Sequence, residues 1–395
     1  MAKILYVANT SWYLYNFRLS LMQAMQGLGW EVVAAAPLDR FSKKLEDQGL
    51  KFIDLAMDRK GTSPLSDLRL LHRLQRLYRR EAPDLVHHFT IKPTVYGSLA
   101  AKLAQAKGVV NSITGLGYIF IHGGAIQRLA KVLYKGALRS PAETIFENSQ
   151  DRDFFLNHSL LRSNRAHLIY GTGVDLDFFA GAAIAEGDPE TVTFLCLGRM
   201  LWDKGIGEFV QAAAEVKQQN PATRFVLLGG SDPGNPAAVP PAWLKARQAQ
   251  GQVEWVDHVD DVRPYLSRAQ VVVLPSYREG FPRSLLEAAA MGKPLIATDV
   301  PGCCDIVAHG VNGLLVSARD PHQLAQAMLA LAGNPGLRVA MGQAGRARVK
   351  ELFDETIVIR KTLGIYARAL PHRQDLRPRA KDRANFPRTA AGEHV

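Results

Sequence analysis

Short apolar runs alternate with longer stretches of helical periodicity along the chain. KILYVA (3–8), EVVAAA (31–36), LVHHF (85–89), GVVNSI (108–113), ETIFEN (143–148) and AHLIY (166–170) are strand candidates in the first half. VTFLCLG (192–198), RFVLLGG (224–230), VEWVD (253–257), QVVVLPS (270–276), PLIATD (294–299) and GLLV (313–316) repeat the arrangement in the second. Strands that are apolar at nearly every position are buried on both faces, which predicts parallel sheets covered by helices. The low-complexity AGAAIAEGDPE (180–190) separates the two series, so the chain reads as two doubly wound domains, residues 1–182 and 190–355. DETIVIRKTLGIYARAL (354–370) predicts a last helix, and the Pro/Arg-rich stretch 371–395 a disordered basic tail.

Within the second series, REGFPRSLLEAAAMG (278–292) carries chemistry. Gly280 and Pro282 end the strand, Pro282 suits the opening of a helix, and Gly292 suits its end. The result is a strand–loop–helix unit with Glu279 at the mouth of the loop and Glu287 in the second turn. At the C-terminal end of a parallel strand, such a unit aims helix N–H groups and two carboxylates into one crevice. CLGRMLWDKGIGEFVQAA (196–213) places Arg199 and Lys204 after the first strand of the same domain. Two cations five residues apart suit a diphosphate, the guanidinium gripping bidentately and the ammonium acting as a point charge.

Composition narrows the partners. The 395 residues are 47% apolar, as in a globular protein, and exceed one ordinary domain. Residues 1–180 carry 23 Lys+Arg against 15 Asp+Glu (+8), residues 181–370 carry 19 against 19, and 371–395 carry 6 against 3. The excess therefore sits on the first half, which points to an anionic partner there. Three cysteines, Cys196, Cys303 and Cys304, make no disulfide framework and have no zinc-site spacing, so no metal is expected. No run approaches the ~18 apolar residues of a membrane span, and the N-terminus reads as a strand and not a signal peptide, so a cytoplasmic protein is expected.

Arg199 and Lys204, followed by EGFPRSLLE with its two glutamates eight residues apart, resemble the nucleotide-sugar site of retaining glycosyltransferases of family 4. GTGVDLDFF (171–179), LLGG (227–230) and VDHVDDVRPYLSRA (256–269) extend the resemblance over about residues 1–370. The resemblance implies the GT-B fold: two Rossmann-like α/β domains facing across a cleft, the first binding acceptor and the second the nucleotide-sugar, with residues 356–370 returning toward the first. It implies Glu279, Arg199 and Lys204 as catalytic, with Glu279 near the donor sugar and the two cations on the diphosphate. Gly280, Phe281, Arg283, Ser284 and Leu285 would complete the nucleotide-sugar site, with Glu287 on the ribose and His258, in the stretch 256–262, near the base. The donor is expected to be a UDP-sugar, with UDP-N-acetylgalactosamine a candidate, and no cofactor is needed.

The loop after the first strand, ANTSWYLYNFRLSL (8–21), resembles the subset of that family acting on polyprenyl-diphosphate-linked sugars. The acceptor-side candidates are Asn9, Thr10, Arg18, His87, His88, Lys92, Thr114, Gly115 and Gly117. Asn16 is a candidate cap of the following helix, which would place Arg18 near its positive end. A cation there is disfavoured by about 0.3–1 kcal/mol unless an anion lies beside it. TGLG (114–117) replaces the loop where many relatives carry a catalytic His, and PGCCDIV (301–307) departs from the usual Pro-Gly-Cys-Arg-Glu. PLSDLRLLHRLQRLYRR (64–80) and AIQRLAKVLYKGALR (125–139) each set an apolar stripe against a cationic one; in the second, Ile126, Leu129, Ala130, Leu133 and Ala137 fall on the apolar side and Arg128, Lys131, Lys135 and Arg139 opposite. An anionic membrane surface, on the cytoplasmic face of the inner membrane, is the expected docking partner. Nucleic acid is not, because the basic stripes lack interleaved aromatics. A nucleotide-sugar 2-epimerase, which shares the fold, is the alternative enzyme.

Overall fold

Every strand pairing in the computed structural model is parallel, and residues 1–58, 63–116, 124–139, 142–180 and 191–376 are described. Among the described residues the chain divides into two units, Met1–Thr172 with Thr356–Leu376, and Gly173–Glu355. In the first, strands β1 (Lys3–Val7), β2 (Glu31–Ala36), β3 (Lys51–Asp54), β4 (Leu85–Phe89), β5 (Gly108–Ile113), β6 (Glu143–Phe146) and β7 (Ala166–Leu168) form one sheet in the order β3-β2-β1-β4-β5-β6-β7. In the second, β8 (Thr193–Leu197), β9 (Arg224–Leu228), β10 (Glu254–Val256), β11 (Val271–Leu274), β12 (Leu295–Thr298) and β13 (Gly313–Val316) run in the order β10-β9-β8-β11-β12-β13. Each sheet reverses its direction of growth once, between β1 and β4 and between β8 and β11. Outside the carboxyl ends at such a reversal, adjacent loops part and leave a crevice. β3, absent from the apolar runs named above, is the sheet edge, with only its middle residues half-buried.

The boundary differs from the sequence expectation. Residues 173–180 belong with the second unit, because Val174 N–H donates to Phe353 O (3.0 Å) and Glu355 N–H to Val174 O (3.1 Å). Gly117, most of the 117–124 loop, the separator 181–190 and the tail from 377 lie outside the described residues. Residues 371–376, read from sequence as part of a disordered tail, are ordered. Trp30 Nε1 donates to Asp375 Oδ2 (3.0 Å), Arg373 lies over the Trp30 ring, and Leu376 is buried.

Helix α1 (Ser11–Gly27) begins two turns earlier than the Asn16 reading supposed. Thr10 is its cap, its hydroxyl accepting from Tyr13 N–H at 3.0 Å, while Asn16 lies within the helix and donates to Trp12 O at 2.9 Å. Helix α2 (Pro64–Glu81) buries Leu70, Leu74 and Tyr78, as its stripe predicts. Helix α3 (Gly124–Ala137) buries Ala130 and Ala137 and packs Leu133 against the core, as its stripe predicts, but it also buries Tyr134, while Leu129 of that stripe is 58% and Val132 67% exposed. Tyr134, packed edge-on against Phe155, takes the inward position that the simpler stripe gave to Leu129. The last helix, α7 (Glu355–Ala369), packs in the first unit.

Candidate active site

The reversal between β8 and β11 brings the predicted donor residues together. After β8 the chain passes Arg199, turns through Trp202–Lys204 and enters a helix (α5, Ile206–Gln219) at Gly205. Gly205 has φ +70°, and a Cβ there would sit 2.1 Å from Pro275 O, so only glycine fits where this loop crosses the end of β11. Two hydrogen bonds stitch the loops further: Tyr277 N–H to Asp203 O (2.9 Å) and the Tyr277 hydroxyl to Glu208 Oε1 (2.6 Å). Lys204 Nζ then lies 2.5 Å from Glu279 Oε1, both largely shielded from solvent.

The backbone of Glu279 is held from a third loop. Gly302 (φ +79°) lies so close that a Cβ would be 2.4 Å from Gly280 O and 3.2 Å from Glu279 O. Helix α6 (Arg283–Ala290) starts after Pro282, with Glu287 buried one turn in and its Oε1 2.8 Å from Arg283 Nε. A guanidinium fixed there orients the carboxylate for a hydroxyl partner. Leu285 is fully buried and presents no surface to a ligand; Ser284 is half-buried, and Phe281 packs against Phe353 with ring centroids 5.3 Å apart. The helix closes at Gly292 (φ +70°), whose N–H donates to Ala289 O.

Arg199 is more exposed and pairs with Asp232 at 3.1 Å, a residue the sequence reading passed over. His258 follows β10, with Nε2 3.3 Å from Asp260 Oδ1, and Gly230 after β9 sits against the same loop. Beneath the Lys204–Glu279 pair, Cys196 and Cys303 are buried, and burial pushes the Cys196 thiol up to about 12. Both are neutral packing groups.

The acceptor-side candidates fare differently. Arg18 is not at a helix end: it is buried in the interior of α1, ion-paired to Glu147 at 2.5 Å and stacked 4.5 Å over Phe89. The anion expected beside it is therefore the protein's own. His87 and His88 are core residues. His87 Nδ1 lies 2.7 Å from the hydroxyl of Tyr366, on the last helix, α7, and its Nε2 2.8 Å from Ser112 Oγ. His88 donates to Asn111 Oδ1 and accepts from the Tyr78 hydroxyl, each at 2.8 Å. Alternation along β4 sends the two rings to opposite faces, where burial holds both neutral, His88 at about 4. Neither has a nitrogen left for an acceptor. Lys92 is ion-paired to Asp67 at 2.6 Å. Asn9, Thr114 and Gly115 (φ +118°) remain partly accessible at the ends of β1 and β5.

Residues 3–149 match a family model described as "Glycosyl transferase 4-like", and residues 191–334 one described as "Glycosyl transferases group 1". The chain belongs to the GT-B glycosyltransferases of family 4. It is 28% identical, over 90% of its length and 96% of the relative's, to the N,N'-diacetylbacillosaminyl-diphospho-undecaprenol alpha-1,3-N-acetylgalactosaminyltransferase of Campylobacter jejuni. It is 24% identical, over 71% of its length and 74% of the relative's, to an Escherichia coli UDP-Gal:alpha-D-GlcNAc-diphosphoundecaprenol alpha-1,3-galactosyltransferase. Among solved structures, Anabaena HepE in complex with UDP and glucose superposes with a TM-score of 0.76 at 18% identity, covering 93% of this chain and all of that one. This glycosyltransferase thus shares its two-sheet architecture with that UDP-bound structure.

Proposed function

We propose that this glycosyltransferase moves a sugar, with retention, from a UDP-sugar to a lipid-diphosphate-linked saccharide at an anionic membrane surface. The observation that carries the reading is the Lys204–Glu279 ion pair, built where β8 and β11 diverge. As the glycosidic bond breaks, positive charge develops on the sugar and negative charge on the diphosphate. Lys204, Arg199 and the first N–H groups of α6 meet the diphosphate charge; Glu279 stands beside the sugar. Its tight pairing with Lys204 suits it to charge stabilisation, and the leaving phosphate takes the acceptor's proton on the same face. Glu287, oriented by Arg283, receives the ribose hydroxyls, and the loop with His258 borders the base.

The relatives' names both specify undecaprenyl-diphosphate-linked acceptors and support a polyprenyl-diphosphate glycan as acceptor; the Campylobacter name supports an N-acetylhexosamine as candidate donor sugar, whereas the Escherichia coli one carries galactose. Asn9, Thr114 and Gly115 are the acceptor-side residues we retain; Thr10 is buried as the cap of α1. No helix among the described residues is long and apolar enough to cross a membrane. A peripheral position on the cytoplasmic face of the inner membrane fits the +8 charge of residues 1–180. The test is a screen of nucleotide-sugars with a short polyprenyl-diphosphate glycan. Transfer from a UDP-sugar is expected; release of a free epimerised nucleotide-sugar without acceptor would favour the epimerase instead.

A further inference from the structure

On the first unit, away from β1 and β4, lies a cavity of about 560 Å³ whose polar lining is cationic. Lys135 and Arg139, at the end of α3, face Arg162 and Arg165, from the segment between helix α4 (Ser149–Asn157) and β7, across a floor of Leu160 and Leu161. The local fold explains the gathering. After α4 the chain turns through Ser159 in a left-handed conformation (φ +49°), and Leu160 N–H returns to Phe155 O at 2.9 Å, burying Leu160 beneath the basic segment.

Among the described residues, one of the four cations has an acidic partner. Arg165 is paired with Glu143, which also holds His167 at 2.6 Å. Lys135, Arg139 and Arg162 make no ion pair among the described residues, so four cations against one carboxylate leave three positive charges around one cavity. Like charges so placed repel, and an anion with several oxygens relieves them; two of the uncompensated groups are guanidinium forks suited to phosphate.

The same helix carries a second, different feature. Arg128, Val132 and Lys135 share one stripe of α3, and Leu129 and Val132 are among the most exposed large aliphatics of the unit. A soluble anion would give these side chains no apolar partner, whereas a lipid offers an anionic headgroup beside acyl chains. We propose that the cavity binds the phosphate headgroup of an anionic membrane lipid, while Leu129 and Val132 enter the lipid boundary beside it. The inference rests on the membrane-surface part of the preceding reading and on nothing at the donor site.

The test is co-sedimentation of the full chain with phosphatidylcholine vesicles containing phosphatidic acid or, at matched surface charge, phosphatidylserine. The expected result is tighter binding to phosphatidic acid, whose phosphomonoester offers more charge to the forks. Arg139→Ala and Arg162→Ala should each weaken that binding about fivefold, and together erase the preference. Arg139→Lys with Arg162→Lys should keep the affinity for charged vesicles and lose the preference. Leu129→Ser with Val132→Ser should weaken binding to both vesicle types alike. Equal binding to the two lipids at matched charge, an unaffected double-alanine variant, or displacement by equimolar inorganic phosphate would overturn the proposal. Turnover on a soluble short-chain acceptor without vesicles reads the donor site separately, so its retention alongside any of those outcomes overturns the lipid cavity and leaves the transferase reading standing.

Discussion

Gly205 lies directly against the carbonyl of Pro275, at a distance that leaves no room for a Cβ. This contact joins the loop that carries Lys204 to the strand that leads into Glu279, and it decides whether the two side chains meet. Gly205→Ala adds left-handed strain of about 1 kcal/mol and a clash with rigid backbone. We expect a total loss of more than about 2 kcal/mol of stability, read by urea denaturation, with weaker UDP binding even where the variant is folded. Wild-type stability and UDP affinity in this variant would contradict the geometry.

Removing Lys204 should slow transfer more than it disturbs folding. Lys204→Ala takes away charge that matters most as the diphosphate leaves, and the loss of one such contact costs about 10²–10³ in rate. Arg199→Ala should act in the same direction. Asp232→Asn, which frees Arg199 from its partner, should leave turnover within about threefold of wild type, because the guanidinium is already half exposed and has a ligand to receive. Near-native turnover of both cation variants at saturating donor would remove the diphosphate assignment.

The two glutamates should separate in binding and rate. Glu279→Gln retains the shape of the Lys204 contact but loses its charge, so transfer should slow while free UDP still binds. Glu287→Gln should weaken UDP itself. Because Glu287 is buried against Arg283, alanine there would also strand a guanidinium at a cost of about 1–3 kcal/mol, which makes glutamine the cleaner replacement. Calorimetry with UDP and initial rates with donor and acceptor give the two readings, and an equal loss of UDP affinity in both variants would contradict this division.

Added chelator should leave turnover within about twofold if, as proposed, Arg199, Lys204 and the α6 N–H groups meet the diphosphate charge. Two Asp-x-Asp triplets occur, and the structure gives both other work. Asp151 is buried at the start of α4 in a mutual hydrogen bond with Asn148, and Asp175 accepts from the N–H groups of Asp177 and Phe178. A rate that collapses with EDTA and returns with a divalent ion would refute this.

The strands other than β3, their grouping into two parallel sheets and the strand–loop–helix unit around Glu279 were legible because they rest on local pattern: apolar runs, Gly and Pro punctuation, and charges at fixed spacing. The residues misjudged were those whose partners are remote in sequence. Arg18 meets Glu147 across 129 positions, and His87 meets Tyr366 across 279. Nothing near Asn16 signals that Thr10, six residues earlier, already caps the helix. Leu129 was turned the wrong way because helical periodicity allows two adjacent stripes, and an aromatic contact at Tyr134 selects between them.

Those buried histidines should set the acid limit of stability. In the unfolded chain a histidine titrates near 6.5, whereas burial holds folded His88 at about 4 and His87 well below its ordinary value. The folded state therefore binds fewer protons between these values. Stability is fully present above pH 6.5 and falls as the pH drops through that window, by about 1.4 kcal/mol per pH unit for each histidine once below 6.5. Below about 4 the His88 contribution stops growing, because both states then carry its proton. Urea midpoints between pH 7.5 and 4.5 provide the measurement. His88→Gln keeps a side-chain amide able to reach Asn111 and Tyr78 but has no proton to gain, so it should lower stability at neutral pH and flatten the slope. An unchanged slope in that variant would mean that His88 is not the neutral core residue described.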